Sequence, residues 1–129
     1  MIDGLGLDIV ELSTVLALFK DGTAPRFARF VLTDEELSTL NEFTQEHRRA
    51  EWLAGRFALK EAVSKALGTG LGRFLDFRDI HISTDDYGKP IVRVPRLPGR
   101  TFTVSLTHTN NVACAVCIME SSNRQSSAE

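Results

Sequence analysis

Arg48-Arg-Ala-Glu-Trp-Leu-Ala-Gly-Arg-Phe-Ala-Leu-Lys-Glu-Ala-Val-Ser-Lys-Ala-Leu-Gly68 is the longest periodic segment of the chain. Leu53, Phe57, Ala62 and Ala66, joined by Trp52, Leu59 and Val63, form a wide apolar stripe at helical spacing. Gly68 stands where a helix commonly ends, because glycine takes the left-handed C′ conformation without a steric penalty. The spacing predicts one long helix over 48–67.

The flanking segments read as strands and short helices. Gly4-Leu-Gly-Leu-Asp-Ile-Val-Glu-Leu12 alternates, with Leu5, Leu7 and Ile9 on one face and Gly6, Asp8 and Val10 on the other. Val15, Leu16, Leu18 and Phe19 suit a short helix that Asp21-Gly22 ends, and Pro25 suits the first turn of another. Thr33-Asp-Glu-Glu36 is a capping box, which predicts a helix over 34–43. Beyond Gly68 the pattern turns to strands. Residues 79–83 and 90–94 flank a turn at Asp86-Tyr-Gly-Lys89, and residues 101–107 and 112–119 flank Asn110-Asn111, a hairpin signal. A strand, then helices, then an antiparallel meander is the order of an α+β domain. The expected domain is 1–120, followed by a polar tail, 121–129, expected to be frayed and disordered.

With 129 residues the chain has room for one domain. A hydrophobic fraction of 43% and a charged fraction of 25% are those of a soluble globular protein and exclude a disordered or collagenous chain. No stretch reaches the roughly 18 apolar residues of a membrane span. Met1-Ile-Asp-Gly4 has neither the basic nor the apolar region of a secretory signal. A cytoplasmic protein without a membrane partner is expected. A net charge of −2 gives no ground for a nucleic-acid partner, but the charge is unevenly placed. Residues 1–47 hold nine acids and three bases, 48–78 seven bases and three acids, and 79–129 five of each. A basic block inside a near-neutral chain calls for an anionic ligand.

The two cysteines, Cys114 and Cys117, sit in an apolar strand at i and i+3, so they point to opposite faces. No second ligand pair accompanies them, which leaves two small residues in a reducing compartment rather than a redox or zinc site.

Asp8 lies between apolar neighbours in a strand, where Asp is disfavoured. It is either a strand-end carboxylate facing water or a hard-cation ligand on a rigid element. On the long helix, Arg56, Lys60 and Ser64 are spaced i, i+4, i+8 along one side, with Glu61 and Lys65 next to them. One reading is a solvated polar face with a single Glu-to-Lys pair, worth about 0.3–0.5 kcal/mol. The other is a phosphate site, where Arg56, Lys60 and Lys65 neutralise a diphosphate and Glu61 holds Mg²⁺ beside Asp8. Gly68-Thr-Gly-Leu-Gly72 follows a helix instead of preceding one, so it is not a Rossmann or Walker loop. His81 alternates within a strand as an ordinary sheet residue, while His108 sits where a strand enters a turn. Ser105 and His108 do not make a hydrolase triad, since no G-x-S-x-G elbow is present.

Together, Gly4-Leu-Gly-Leu-Asp-Ile-Val-Glu11, Phe57-x-x-Lys60-Glu61-x-x-x-Lys65, Gly88-Lys-Pro90 and Val104-Ser-Leu-Thr-His-Thr109 resemble the holo-[acyl-carrier-protein] synthases. These are the small, single-domain bacterial type of 4′-phosphopantetheinyl transferase. The resemblance runs from Met1 to about Glu120. It implies transfer of the phosphopantetheine arm of coenzyme A to a serine of an apo-acyl carrier protein. Adenosine 3′,5′-bisphosphate leaves, and the product serves fatty acid biosynthesis. It implies Mg²⁺ held by Asp8 and Glu61, and Lys65 beside the diphosphate. Arg48, Arg56, Lys60, Ser64, Gly68, Gly88, Lys89, Pro90 and His108 would surround the nucleotide and its phosphates. It further implies a homotrimer with an active site at each subunit interface. Glu61 is the candidate general base, with a carboxylate of the carrier as the alternative. The family often has a base in the first helix to dock the acidic carrier. Here that place reads Leu12-Ser-Thr-Val15, leaving Lys20, Arg26 and Arg29 as docking charges. Two other readings compete: a module that binds coenzyme A or a carrier without turnover, and a Mg²⁺-dependent nucleotide pyrophosphohydrolase.

Overall fold

The computed structural model describes residues 1–68 and 75–122. The order is β1 (Ile2–Glu11), α1 (Leu12–Asp21), α2 (Ala24–Val31), α3 (Asp34–Glu42), α4 (Glu46–Leu67), a 3₁₀ turn (Phe77–Asp79), β2 (His81–Thr84), β3 (Pro90–Arg93), β4 (Arg100–His108) and β5 (Val112–Ser121). The strands form one antiparallel sheet in the order β1-β5-β4-β3-β2. The α+β reading therefore holds, with the long helix laid across β1 and β5.

Local signals explain most of the boundaries. Thr33 Oγ1 accepts from the Glu36 amide at 3.2 Å and Glu36 Oε1 accepts from the Thr33 amide at 2.9 Å, which starts α3. Gly68, at φ +80°, ends α4 by donating its N–H to the Ser64 and Lys65 carbonyls. The helix begins at Glu46, two residues before the expected start, so Arg48 and Arg49 occupy its first turn. There the helix dipole disfavours cations, but Arg48 lies over the Phe43 ring at 4.7 Å and Arg49 over Phe19 at 5.5 Å. β5 extends through Ser121, one residue beyond the expected domain end, and the Ser122 amide donates to Gly99 O. The glycine run beyond Gly68 and the tail beyond Ser122 lie outside the described residues.

The core sits between α4 and one face of the sheet. Ala113, Ala115, Cys117 and Met119 of β5, Phe102 and Val104 of β4 and Val10 of β1 are buried there. Burial pushes the Cys117 thiol up to about 12, while Cys114 is half-buried on the other face. The other face of β1 is open: Leu5, Leu7 and Ile9 are 66%, 56% and 61% exposed. β1 approaches α4 so closely that a Cβ on Gly6 would lie 1.8 Å from the Ala62 carbonyl oxygen, and one on Gly4 2.0 Å from that of Ala66. Only glycine permits this contact, and it brings Asp8 to the flank of α4. Among the described residues, no helix is long and apolar enough to cross a membrane.

Candidate active site

Asp8, Glu61 and Lys65 converge where β1 meets α4. The Lys65 ammonium donates to Asp8 Oδ1 at 2.9 Å and to the Leu7 carbonyl at 3.0 Å. The Asp8 side chain is mostly covered, at 13% exposure, while that of Lys65 is 55% exposed. Burial, then the neighbouring Asp8 carboxylate, pushes the Glu61 carboxyl above its ordinary value, with Lys65 opposing. Hydrogen bonding to Asp8 pushes the Lys65 ammonium up, and the Asp8 and Glu61 charges add to this. Two carboxylates thus act on one another electrostatically, with the exposed Lys65 ammonium paired to the mostly covered Asp8. Among the described residues no group of three or more metal-ligating side chains forms. A paired carboxylate is nonetheless enough for Mg²⁺, which typically takes one or two carboxylates and completes its shell with phosphate oxygens and water.

The other side of α4 is unlike its sequence reading. Arg56, Lys60 and Ser64 do share one side, but all are buried, at 8%, 0% and 6% exposure. Lys60, expected at the coenzyme, is spent in the core. Its ammonium donates to Glu36 Oε1 at 2.7 Å, Val31 O at 2.8 Å and Phe77 O at 3.1 Å, using all three of its protons. Arg56 stacks over Trp52 at 4.6 Å, and its buried Nε has no partner. Burial pushes its guanidinium down and Glu36 opposes that shift. With Thr39, Ser83 and Thr84, Arg56 lines a cavity of about 330 Å³. Sequence reasoning missed Glu36 as the partner of Lys60, and Trp52 as the platform under Arg56. Position N3 of the capping box was the sole signal at Glu36.

The remaining expected residues are spread out. Arg48 is exposed over Phe43, and Gly68 caps α4. His108 ends β4 in a small crevice with Leu12, Glu51, Ala54, Thr109 and Val112. Gly88 and Lys89 lie in the β2–β3 turn and Pro90 opens β3; in the turn Asp85 Oδ1 accepts from the Tyr87 and Lys89 amides at 2.8 and 2.9 Å. β3 lies three strands from β1 in the sheet, about 14 Å at the usual strand spacing. The basic block also disperses. Arg78 pairs with Asp34 at the surface, and Lys60 is buried against Glu36, which leaves Lys60 unavailable to a ligand. Lys20, Arg26 and Arg29 are exposed on α1 and α2. Beside them Phe30 is 64% exposed and stands edge-on to Phe77, in a run of rings that continues through Phe57 to Phe27.

A model of the 4′-phosphopantetheinyl transferase superfamily matches residues 4–117 of the chain. The holo-[acyl-carrier-protein] synthase of Bacillus subtilis (strain 168) is 47% identical over 120 residues, covering 93% of this chain and 97% of its own. That of Staphylococcus carnosus (strain TM300) is 42% identical over 120 residues, covering 93% and 98%. The crystal structure of the Bacillus anthracis holo-(acyl-carrier-protein) synthase, in complex with CoA (3′,5′-ADP), superposes with a TM-score of 0.84 at 37% identity, covering 95% of this chain and 99% of that one. The Neisseria meningitidis holo-[acyl-carrier-protein] synthase gives a TM-score of 0.81 at 32% identity, covering 93% and 99%.

Proposed function

The chain belongs to the 4′-phosphopantetheinyl transferase superfamily, and on that premise we propose that Asp8, Glu61 and Lys65 carry out its reaction. The reaction is the transfer of 4′-phosphopantetheine from coenzyme A to a serine of an apo-acyl carrier protein. The observation that carries the assignment is the convergence of these three side chains where β1 meets α4. The serine oxygen forms a bond to the phosphorus that bears pantetheine. The bond from that phosphorus to the bridging oxygen of adenosine 3′,5′-bisphosphate breaks. In this reading Glu61, whose carboxyl holds its proton more tightly than an ordinary glutamate, accepts the serine proton. Lys65 supplies positive charge for the departing bisphosphate, and Asp8 holds its ammonium in place. Asp8 and Glu61 are the residues that would hold Mg²⁺. When bound, the ion neutralises phosphate oxygens.

Arg48, Arg56, Ser64, Gly68, Gly88, Lys89, Pro90 and His108 are proposed nucleotide contacts, and Lys60 is withdrawn from that set because its protons are used in the core. The 14 Å scale of separation between β1 and the Gly88–Pro90 turn, about three strand spacings, favours a site completed by a second copy of the chain. The open apolar face of Leu5, Leu7 and Ile9, on the strand that carries Asp8, supports a homotrimer closed over that face. Arg26 and Arg29, with the exposed Phe30 on the same helix, suit an acidic carrier helix with an apolar side, and Lys20 adds a charge nearby. Two free cysteines are in keeping with a reducing cytoplasm.

Incubation with coenzyme A, Mg²⁺ and an apo-acyl carrier protein should add the mass of one phosphopantetheine arm to the carrier. Asp8→Ala and Glu61→Ala should each lower the rate by about 10²–10³ or more, the usual effect of removing a group that stabilises transition-state charge. Near-normal rates in both variants would remove the metal assignment. Free phosphopantetheine released without a carrier would point to pyrophosphate hydrolysis.

A further inference from the structure

α4 carries a row of alanines, of which Ala62 and Ala66 lie against Gly6 and Gly4 of β1. Ala50, Ala54, Ala58, Ala62 and Ala66 repeat every four residues and are all buried. With Gly4 and Gly6 opposite, this surface lets backbones approach closely. Leu53, Leu59 and Val63 are buried on α4 as well, so apolar packing limits the roll of the helix about its axis, and a directional polar contact refines it. The roll matters for chemistry. Side-chain ends ride roughly 5–6 Å from a helix axis, so a roll of about 10° moves them by about 1 Å. A displacement of that size can cost about 10²-fold in rate.

One directional restraint on the roll is plain. Lys60 is anchored to three elements at once: the end of α2 through Val31 O, the 3₁₀ turn through Phe77 O, and α3 through Glu36. Glu36 is itself held on every side. It accepts from the Thr33 amide at 2.9 Å and from the Ile82 amide of β2 at 3.0 Å. Buried ion pairs of this kind often add little net stability over an apolar pair of the same size, and fixing a register is their best-attested use. The next residue along the helix is Glu61, and the one after it, Ala62, is pressed on Gly6. Glu61 is therefore bracketed between a polar anchor on one side of α4 and a steric stop on the other.

We propose that the Glu36–Lys60 pair is a positioning device that sets the roll of α4 and so aims Glu61 at Asp8. The proposal rests on the phosphopantetheinyl-transfer reading of the site. It differs from a phosphate-binding role for Lys60, which the hydrogen bonds leave no proton to perform.

The test is the neutral double variant Glu36→Gln/Lys60→Met, which removes both charges while keeping side-chain size and one acceptor for the Thr33 or Ile82 amide. Steady-state transfer is measured beside the wild type, with folding checked by circular dichroism. Turnover, kcat, should fall at least tenfold while KM for coenzyme A stays within twofold. A folded double variant with wild-type kcat overturns the proposal, and so does a raised KM at unchanged kcat, which would return Lys60 to the coenzyme. If the double variant does not fold, Thr33→Ala is read instead, since it loosens the anchor at the capping hydroxyl that receives the Glu36 amide. A kcat at least threefold lower with KM held supports the proposal, and an unchanged kcat overturns it. Absence of transfer in the wild type would instead sink the reading of the site itself.

Discussion

Lys60 meets Glu36 at 2.7 Å with neither side chain more than 3% exposed, whereas Lys65, five residues on, meets Asp8 at 2.9 Å with its side chain 55% exposed. The residue types and distances are nearly the same. The surroundings are not. Lys60 has an acceptor for every proton, and Glu36 has a donor on both oxygens. At the second pair a further carboxylate, Glu61, stands beside the first and is held above its ordinary range by burial and by Asp8. A closed, fully matched pair fixes structure. An open cluster with an excess of negative charge has capacity left for a cation and an anionic substrate.

The largest effects should separate the two lysines. Lys60→Met leaves the Glu36 carboxylate buried without its cation, and breaking a buried pair this way costs about 3–5 kcal/mol. Urea denaturation should show that loss. Lys65→Met should leave the denaturation midpoint close to wild type, because the group is exposed, and should lower transfer by about 10²-fold, the scale of a lost electrostatic stabiliser. Equal losses of stability in the two variants would erase the distinction drawn between them.

The distinction was only half legible in the sequence. The helix itself, its glycine stop, the capping box at Thr33 and the alternation of β1 rest on residues within a few positions of each other, so local pattern carries them. Asp8, Glu61 and Lys65 stand out locally because a lone carboxylate in a strand is odd and an i, i+4 pair on a helix is ordered. Which side of α4 faces solvent is different. The partners of Lys60 lie 29, 24 and 17 residues away. Nothing in the i, i+4, i+8 spacing of Arg56, Lys60 and Ser64 tells a polar stripe facing water from one covered by α2, α3 and β2. The Thr33-x-x-Glu36 spacing marks Glu36 as a cap residue, which it is. Its second task appears only when β2 and α4 arrive on its remaining lone pairs.

A middling effect should come from the steric stop opposite Lys60. In Gly6→Ala the new Cβ meets the Ala62 carbonyl oxygen, a backbone atom that cannot swing aside. β1 must then lift from α4. Overpacking of this kind typically costs about 1–3 kcal/mol, and here it also carries Asp8 away from Lys65 and Glu61. Calorimetric melting should show the stability loss, and transfer should fall with it. Full activity in a destabilised Gly6→Ala protein would show that the Asp8–Lys65 contact tolerates movement, and that the site is less rigidly placed than the core pair.

The smallest effect is in stability and has the opposite sign. Because the folded state holds the Glu61 proton more tightly than the unfolded chain does, the folded protein binds more protons between the ordinary glutamate value and the raised one. Stability therefore falls as pH rises through that window and stays lowered above it. Glu61→Gln removes the penalty, so the variant should be the more stable at pH 7, by under about 1 kcal/mol given the screening by Lys65 and water, and the two proteins should converge below pH 4. Mg²⁺ should reverse the order. Held by Asp8 and Glu61, it would offset their repulsion and raise the melting temperature of the wild type, while Glu61→Gln, lacking one carboxylate, should respond less. A wild type that is the more stable at pH 7 without Mg²⁺ would mean that burial and Asp8 together do not penalise the Glu61 charge. The Glu36–Lys60 pair should give no such Mg²⁺ response, because it is buried and each Glu36 oxygen already accepts from a protein donor.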